Sequence, residues 1–170
     1  TAAAGGSAVV VALLATLTGD FEMRAGYQLQ GLLNPAYETG AGLFLGTPTY
    51  PVGAYTVARD TIGDPAGCAP EASCNGYVGG FPYPASDPNE FKVRTSDVSG
   101  VLRFTRSGNY MGAWYWDSAL ADWTLIYGTS DFPVEPITVV ALGVVTWGAE
   151  DVRVAFDDFW LQADSVTFVP

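Results

Sequence analysis

Histidine is absent from this 170-residue chain, and lysine occurs once, at Lys92. Without histidine the chain cannot carry a Ser-His-Asp or Cys-His nucleophile system, a histidine-ligated zinc site or the usual proton shuttle near neutral pH. Seven basic residues against 18 acidic ones give a net charge of −11. Because nucleic acids and anionic membrane surfaces attract clustered Lys and Arg, this composition argues against both as partners.

Cysteine is also scarce, with only Cys68 and Cys74 in the string CAPEASC. Their spacing differs from the CxxC of zinc knuckles and redox motifs, and two thiols do not complete a structural zinc site. A disulfide between them is predicted, a local staple of about 2 kcal/mol in the loop-entropy model. Such a bridge indicates an oxidising compartment and hence secretion. The alternative is a pair of unpaired thiols in a surface loop.

Long hydrophobic runs are missing as well. The longest, residues 8–15 (AVVVALLA), falls well short of the ~20 residues that a transmembrane helix needs. It also lacks the basic flank of a signal peptide. We therefore expect no membrane insertion, and the run is interpreted as a buried strand.

What the chain does have is typical of a folded, all-β protein. Hydrophobic residues make up 49% and aromatic residues 14%, with 20 glycines and 11 prolines. From Phe21 onward apolar and polar residues alternate with a period of two, which favours half-buried strands. The pattern predicts nine to twelve strands, no helix, and one antiparallel sandwich domain over residues 1–170. Predicted strands cover residues 9–17, 21–29, 41–46, 54–59, 91–94, 101–106, 110–116, 123–127, 137–146, 152–161 and 166–169.

Residues 60–90 differ in composition from the rest of the chain. Closely spaced glycines and prolines argue against long regular structure there, and both cysteines lie inside the segment. Tyr77, Phe81 and Tyr83 give it apolar material for packing, unlike an inter-domain linker. We expect a long insertion with its own role.

Several segments, taken in order, resemble the concanavalin A-like lectin/glucanase superfamily. The resemblance implies a two-sheet antiparallel jelly-roll sandwich with a concave face that is often used for glycans, but no activity by itself. It spans residues 15–162 and rests on residues 17–22 (LTGDFE), 41–44 (AGLF), 102–109 (LRFTRSGN), Trp123 and 154–159 (VAFDDF).

Modules of this kind usually begin with a strand that precedes the segment matching residues 8–17. Either that strand lies outside this sequence, or the sheet has an open edge that can pair with copies of the same chain by strand addition. The residues assigned to this assembly edge are Val9, Val10, Val11 and Leu13.

The same resemblance raises glycoside hydrolysis, which requires two carboxylates flanking the scissile bond. Catalytic members of the superfamily carry a Glu-x-Asp-x-Glu strand motif, which this sequence lacks. The nearest pair, Asp20 and Glu22, is interpreted as a turn-capping aspartate beside a solvated strand face. The chain is predicted not to be an enzyme.

Sugar binding requires aromatic platforms beside a few polar groups. Trp114, Tyr115 and Trp116 follow one another on a predicted strand, with Arg103 across the hairpin, and these four are the candidate glycan-binding residues. Alternation separates the two tryptophans from Tyr115. Which face is buried depends on the length of the turn. A two-residue loop pairs Arg103 with Trp114, and a three-residue loop pairs Arg103 with Ala113.

Two further aromatic residues, Trp123 and Phe156, are assigned to the core. A structural calcium ion is common in the superfamily that the chain resembles, and Asp157 stands where a ligand aspartate is often found. The resemblance therefore makes calcium a possible cofactor. The alternative is an aspartate that binds neighbouring backbone amides.

Together these features predict an extracellular, secreted module for glycan binding or adhesion, whose partner is a polysaccharide or a cell-surface glycan. The alternative is a structural subunit of an extracellular filament or surface assembly, joined to its neighbours through the open edge.

Overall fold

The computed structural model describes residues 7–13, 15–30, 39–50, 55–61, 75–81, 89–132, 135–146 and 152–168. Within these residues the chain forms eleven strands and no helix, so none of this part offers a helix suited to crossing a membrane. The strands are β1 (Ser7–Leu13), β2 (Ala15–Leu29), β3 (Thr39–Gly46), β4 (Tyr55–Thr61), β5 (Asn75–Phe81), β6 (Asn89–Arg94), β7 (Ser99–Ser107), β8 (Tyr110–Asp117), β9 (Asp122–Thr129), β10 (Val139–Thr146) and β11 (Val154–Phe168).

The strands form two antiparallel sheets. The six-stranded sheet has the order β1-β10-β3-β4-β5-β6, and the five-stranded sheet has the order β11-β2-β7-β8-β9. The sheets pack face to face: β10 contacts β2, and β5 and β6 contact β9. The predicted all-β, two-sheet antiparallel sandwich is confirmed.

Inward-pointing residues of both sheets build one core. Phe81 of the six-stranded sheet lies at its centre, with its ring centroid 6.1 Å from that of Phe104 and 4.9 Å from that of Tyr127 in the other sheet. Tyr55 extends the same cluster, with its ring centroid 6.0 Å from that of Phe81 and 5.0 Å from that of Phe132. These rings are buried because alternate residues of a strand point to one face of its sheet.

A buried polar cluster also joins the two sheets. The Tyr27 hydroxyl on β2 donates to the Tyr77 hydroxyl on β5 at 3.1 Å, and Tyr77 donates to the Asp97 carboxylate at 2.9 Å. The Arg59 Nε donates to the Asp97 backbone carbonyl at 2.9 Å. Burial raises the pKa of Tyr27 to about 12 and the pKa of Tyr77 further. Both phenols are therefore neutral donors across the physiological pH range.

The expectation that residues 60–90 form an irregular insertion is wrong for residues 75–81, which form β5 inside the six-stranded sheet, between β4 and β6. Gly79 allows close packing of the two sheets: a Cβ there would lie 3.0 Å from the Tyr127 Cβ and 3.2 Å from the Ala113 Cβ. Composition alone predicted a loop, because glycine is typical of loops. Glycine also occurs where two strands approach closely, and composition does not distinguish the two cases.

The first strand is also corrected. Residues 8–15 were expected to form one buried strand, but β1 is the outermost strand of the six-stranded sheet, and Val9 and Val11 are 76% and 75% exposed. The chain passes from one sheet to the other between Leu13 and Ala15, because Ala15 already belongs to β2. Residues 8–13 of the apolar run therefore lie on the edge strand, and Ala15 lies in the core.

Candidate functional site

The outward face of the five-stranded sheet carries an unusual set of side chains. Gly108 and Asn109 form a two-residue turn between β7 and β8, with Gly108 at a φ of +60°. This turn pairs Arg103 with Trp114 and settles the register that the sequence left open. Trp114 and Trp116 consequently point outward, while Met111, Ala113 and Tyr115 point into the core.

The assignment of Tyr115 to glycan binding is therefore corrected. Its side chain is 9% exposed and stacks on Tyr77 of the opposite sheet, with ring centroids 4.2 Å apart and planes 15° from parallel. Because consecutive residues of a strand face opposite sides, either Tyr115 or the pair Trp114 and Trp116 had to point into the core. The buried residue is Tyr115.

Tryptophans and arginines alternate across the outward face, an arrangement we call the Trp–Arg ladder (Trp160, Arg24, Trp123, Arg103 and Trp114). The Arg24 guanidinium lies 4.9 Å from the Trp160 ring centroid and 5.4 Å from that of Trp123. The Arg103 guanidinium lies 5.0 Å from Trp123 and 5.7 Å from Trp114. At these distances the cations interact favourably with the ring faces.

The assignment of Trp123 to the core is also wrong. Trp123 is only half-buried and lies on the outward face, where its ring meets that of Trp116 edge-on at 5.5 Å and 78°. Trp116 and Trp160 are 38% and 42% exposed. Phe156, by contrast, packs against the core as expected. The outward face thus presents two large indole surfaces to solvent. Trp160 lies against Arg24, and Trp116 lies against Trp123.

Glu22 holds the two arginines of the ladder together. Arg24 and Arg103 lie directly opposite each other on β2 and β7, an arrangement in which like charges repel. One Glu22 carboxylate oxygen accepts from the Arg24 Nε at 2.5 Å, and the other accepts from an Arg103 terminal nitrogen at 2.7 Å. The carboxylate therefore offsets the repulsion and fixes both guanidinium planes under the indole rings.

Beside the ladder lies a shallow groove of about 550 Å³, which we call the outer groove. Its floor is polar, because the Trp114 Nε1 donates to the Thr105 hydroxyl at 2.9 Å. A Cβ on Gly112 would meet the Trp114 Nε1 at 2.5 Å, so the absence of a side chain there makes room for this edge of the indole. The groove is lined by Asp20, Phe21, Glu22, Arg103, Thr105, Arg106, Ser107, Tyr110, Trp114, Gln162, Ala163 and Asp164.

Asp20 caps the β7–β8 turn, as its sequence context suggested. Its carboxylate accepts from the Gly108 backbone N–H at 2.6 Å and from the Ser107 hydroxyl at 3.1 Å. Asp164 in turn accepts from the Asp20 backbone N–H at 2.9 Å. Asp20 is thus committed to the turn and Glu22 to two arginines, so the structure gives these two carboxylates structural partners.

Asp157, the possible calcium ligand, is exposed on β11 and pairs with Gly26 of β2. Among the described residues no group of three or more acidic, histidine or cysteine side chains surrounds it or any other point. The further oxygen ligands of a calcium ion at Asp157 would therefore be mainly backbone carbonyls. Calcium stays a prediction.

The remaining candidate residues fall into two groups. Val9, Val10, Val11 and Leu13 all lie on β1, which is an edge strand in the described part of the chain. Cys68 and Cys74 lie outside the described residues, and their disulfide stays a prediction.

Sequence reasoning missed Trp160, Arg24 and Glu22 as members of one site. Alternation along β2 did place Glu22 and Arg24 on one face, but their neighbours come from β7 and β11, far away in the sequence. The signal for Trp160 is hidden by an irregularity in β11, where the register shifts between Asp157 and Trp160 and Asp158 adopts a φ of +48°.

Neither a protein-family model nor a curated protein sequence matches this chain. Its fold is similar to that of a functionally unknown protein from Saccharomyces cerevisiae, with a TM-score of 0.54 and 12% identity over 93% of this chain and 74% of that one. Scytalido-glutamic peptidase, solved with a peptide-based transition state analog, gives a TM-score of 0.49 and 11% identity, covering 96% of this chain and 88% of the peptidase.

A third similar structure is the CBM2 module of the evolved Dit of Lactobacillus casei BL23 phage J-1, with a TM-score of 0.38 and 10% identity over 85% of this chain and 69% of that one. The two sheets themselves define an all-β protein of the sandwich type. At these identities the likeness concerns the fold alone.

The prediction that the chain is not an enzyme is corrected by the same comparison. One of the similar structures is a peptidase, so the missing histidine and the missing Glu-x-Asp-x-Glu motif do not suffice to exclude catalysis. No reaction is assigned to this chain on that basis.

Proposed function

We propose that this protein binds a neutral glycan at the outward face of its five-stranded sheet and acts as an extracellular binding or adhesion module. The observation that carries the proposal is the Trp–Arg ladder at the border of the outer groove, with Trp114 belonging to both. The ladder supplies flat apolar surfaces, and the groove supplies polar groups next to them.

Indole rings suit sugars because one face of a pyranose ring presents only C–H groups, which pack on an aromatic plane. Binding on such a plane is effective when the ring is already fixed before the ligand arrives. Here Trp114 is held by a hydrogen bond to Thr105, and Trp123 packs against two guanidinium groups. Trp116 and Trp160 then offer the exposed surface on which a sugar ring can stack.

The groove favours an uncharged, hydroxyl-rich ligand. Carboxylates of Asp20, Glu22 and Asp164 lie beside the amide of Gln162 and the hydroxyl of Tyr110, a mixture of acceptors and donors. Sugar hydroxyls can both donate and accept, whereas an acidic polysaccharide would meet these carboxylates and a net charge of −11. Neutral polysaccharides are therefore the proposed partner class.

The proposal extends to location and family. A secreted module of the concanavalin A-like jelly-roll type would use one of its sheet faces for glycans, and the outward face of the five-stranded sheet supplies a surface with the required chemistry. A structural calcium ion at Asp157 belongs to the same proposal, and a chelator-reversible rise in melting temperature on calcium addition would support it.

Affinity electrophoresis in gels containing neutral polysaccharides tests the glycan proposal. Native protein should be retarded by at least one polysaccharide, and Trp116→Ala and Trp160→Ala should each weaken that retardation at least tenfold in apparent affinity. Leu120→Ala is the matched control, because Leu120 is a large apolar side chain, 69% exposed, in the β8–β9 turn. Unretarded, folded native protein on every neutral polysaccharide would contradict the proposal, as would equal retardation of all variants.

The alternative, a subunit of an extracellular assembly, draws support from one observation. β1 is an edge strand whose valines are largely exposed, which suits joining of chains by strand addition. Growth into a filament requires a second, different contact and stays a prediction.

A further inference from the structure

The eleven described strands leave four sheet edges, and three of them carry features that oppose pairing with another chain. β6 ends at Arg94, whose charged side chain is exposed. β9 starts at Asp122 and bulges opposite β8. β11 carries several aspartates and two register shifts. Charged residues and bulges at an edge are the usual means by which proteins avoid sheet extension.

The fourth edge, β1, has none of these features within Ser7–Leu13. The strand contains no charged residue and no proline, and its pairing with β10 runs without a register shift from Ser7 to Leu13. Val9, Val10 and Val11 are 76%, 45% and 75% exposed. In a chain with a net charge of −11, this is a neutral, flat and apolar edge.

The apolar surface at this edge continues onto the second sheet. Residues that pair directly share a sheet face, so Val9 and Val11 lie on the same face as Leu142, which packs against the core. β11 is the matching edge of the other sheet, because its neighbour β2 contacts β10. There Phe168 pairs with the buried Ala15 and is nevertheless 66% exposed. Among the described residues the sandwich is therefore open along this side.

The sequence of β1 identifies what can cover it. SAVVVAL reads the same in both directions around Val10, from Ala8 to Ala12. In an antiparallel pair related by a two-fold axis through Val10, Val10 faces its own copy, Val9 faces Val11, and Ala8 faces Ala12. Each valine then lies beside a valine on the same face of the sheet, which is a favourable cross-strand arrangement. An isologous contact requires this kind of self-complementarity.

We propose that two copies of this chain pair through β1, antiparallel and with Val10 on the two-fold axis, so that their six-stranded sheets join into one. Val9 and Val11 of both copies form a continuous apolar strip at the junction, and the exposed Phe168 side chains lie on the same side of the sandwich. The contact closes after two copies, because both β1 edges are used.

Size measurement tests the pairing. Light scattering coupled to gel filtration, or sedimentation equilibrium, should give a mass of about twice 17.9 kDa for the native chain at high concentration. Val10→Lys places two lysines at the axis and should return the mass to 17.9 kDa, with an unchanged circular dichroism spectrum. Val98→Lys is the matched control, because Val98 is 62% exposed but lies between β6 and β7, and it should remain dimeric.

The register is tested by charge complementation between two variants. Val9→Lys and Val11→Glu should each be monomeric alone, and a mixture of the two should form a heterodimer because the lysine faces the glutamate. A mixture of Val9→Lys and Val9→Glu should pair at least tenfold more weakly than the first mixture, because residues 9 of the two copies lie diagonal to each other and not face to face. A strictly monomeric native chain, or a dimer that Val10→Lys leaves intact, overturns the proposal. Equal behaviour of the two mixtures overturns the register, and polymers larger than a dimer overturn the closed contact.

Discussion

Replacement of Glu22 by glutamine removes the charge that holds Arg24 and Arg103 opposite each other. The Glu22 and Arg103 side chains are 23% and 20% exposed, and Arg24 is 41% exposed. Each partly exposed ion pair contributes at most about 1 kcal/mol. Unopposed like charges across a strand pair cost about 0.5 kcal/mol more. We therefore expect E22Q to lower the free energy of unfolding by about 2 kcal/mol at low salt, with part of the loss due to repulsion.

Urea denaturation followed by tryptophan fluorescence measures this loss. In about 1 M NaCl, where the screening length falls to roughly 3 Å, the loss should shrink to about half, because salt weakens both the attraction and the repulsion. Asp131→Asn is the control for removing one negative charge at an exposed site. A double-mutant cycle with Arg103→Met should return a coupling energy of about 1 kcal/mol.

Two results would refute this reasoning. The first is a loss in E22Q no larger than that in D131N at low salt. The second is a loss that salt leaves unchanged, because a purely steric defect does not respond to screening. Either result would mean that Glu22 does not hold the arginines in place.

Three further predictions concern the core and the turn. Burial raises the pKa of Tyr27 from 10.0 to about 12, so the stability that its neutral form contributes is complete below pH 10 and is lost as the pH rises through 12. In urea denaturation, Y27F should therefore lose less free energy of unfolding than the native chain between pH 10 and pH 12. Tyr115→Ala should cost about 3–4 kcal/mol in the same assay, whereas a loss under 1 kcal/mol would contradict its place in the core. Asp20→Asn should cost about 1 kcal/mol, measured as a shift of the urea midpoint, because a charged acceptor for the Gly108 N–H becomes neutral.

The sandwich could be predicted from the sequence because most strands carry their own signal. β2 and β7 alternate apolar and polar residues, and that period fixes both the strand and the side that is buried. β8 is apolar or aromatic at nearly every position, so its buried side depends on the turn that precedes it. β5 has no such signal, because its glycines fit equally well in a loop, and only packing against β8 and β9 decides for a strand. β1 was assigned to the interior because it is apolar, although hydrophobicity does not distinguish a core strand from an edge strand.

The candidate site was only partly predictable. The two-residue turn at Gly108 fixes the pairing of Arg103 with Trp114, but the sequence did not show whether that turn or a longer one forms. Trp123 and Trp160 join Arg24 through strand order, since β9 and β11 lie at opposite edges of the sheet. Contacts of that kind depend on how the whole sheet is assembled, which local periodicity does not encode.

The central claim concerns where a glycan binds, and an NMR titration tests it most directly. The chain contains five tryptophans, and the indole N–H signals of the four in its described part, Trp114, Trp116, Trp123 and Trp160, report separately on the outward face. Oligosaccharides cut from a polysaccharide that retards the protein should shift the signals of Trp114, Trp116 and Trp160, and should leave the backbone amides of β3 and β4 unchanged. Shifts confined to the six-stranded sheet, with the indole signals of those three residues unmoved, would contradict the account.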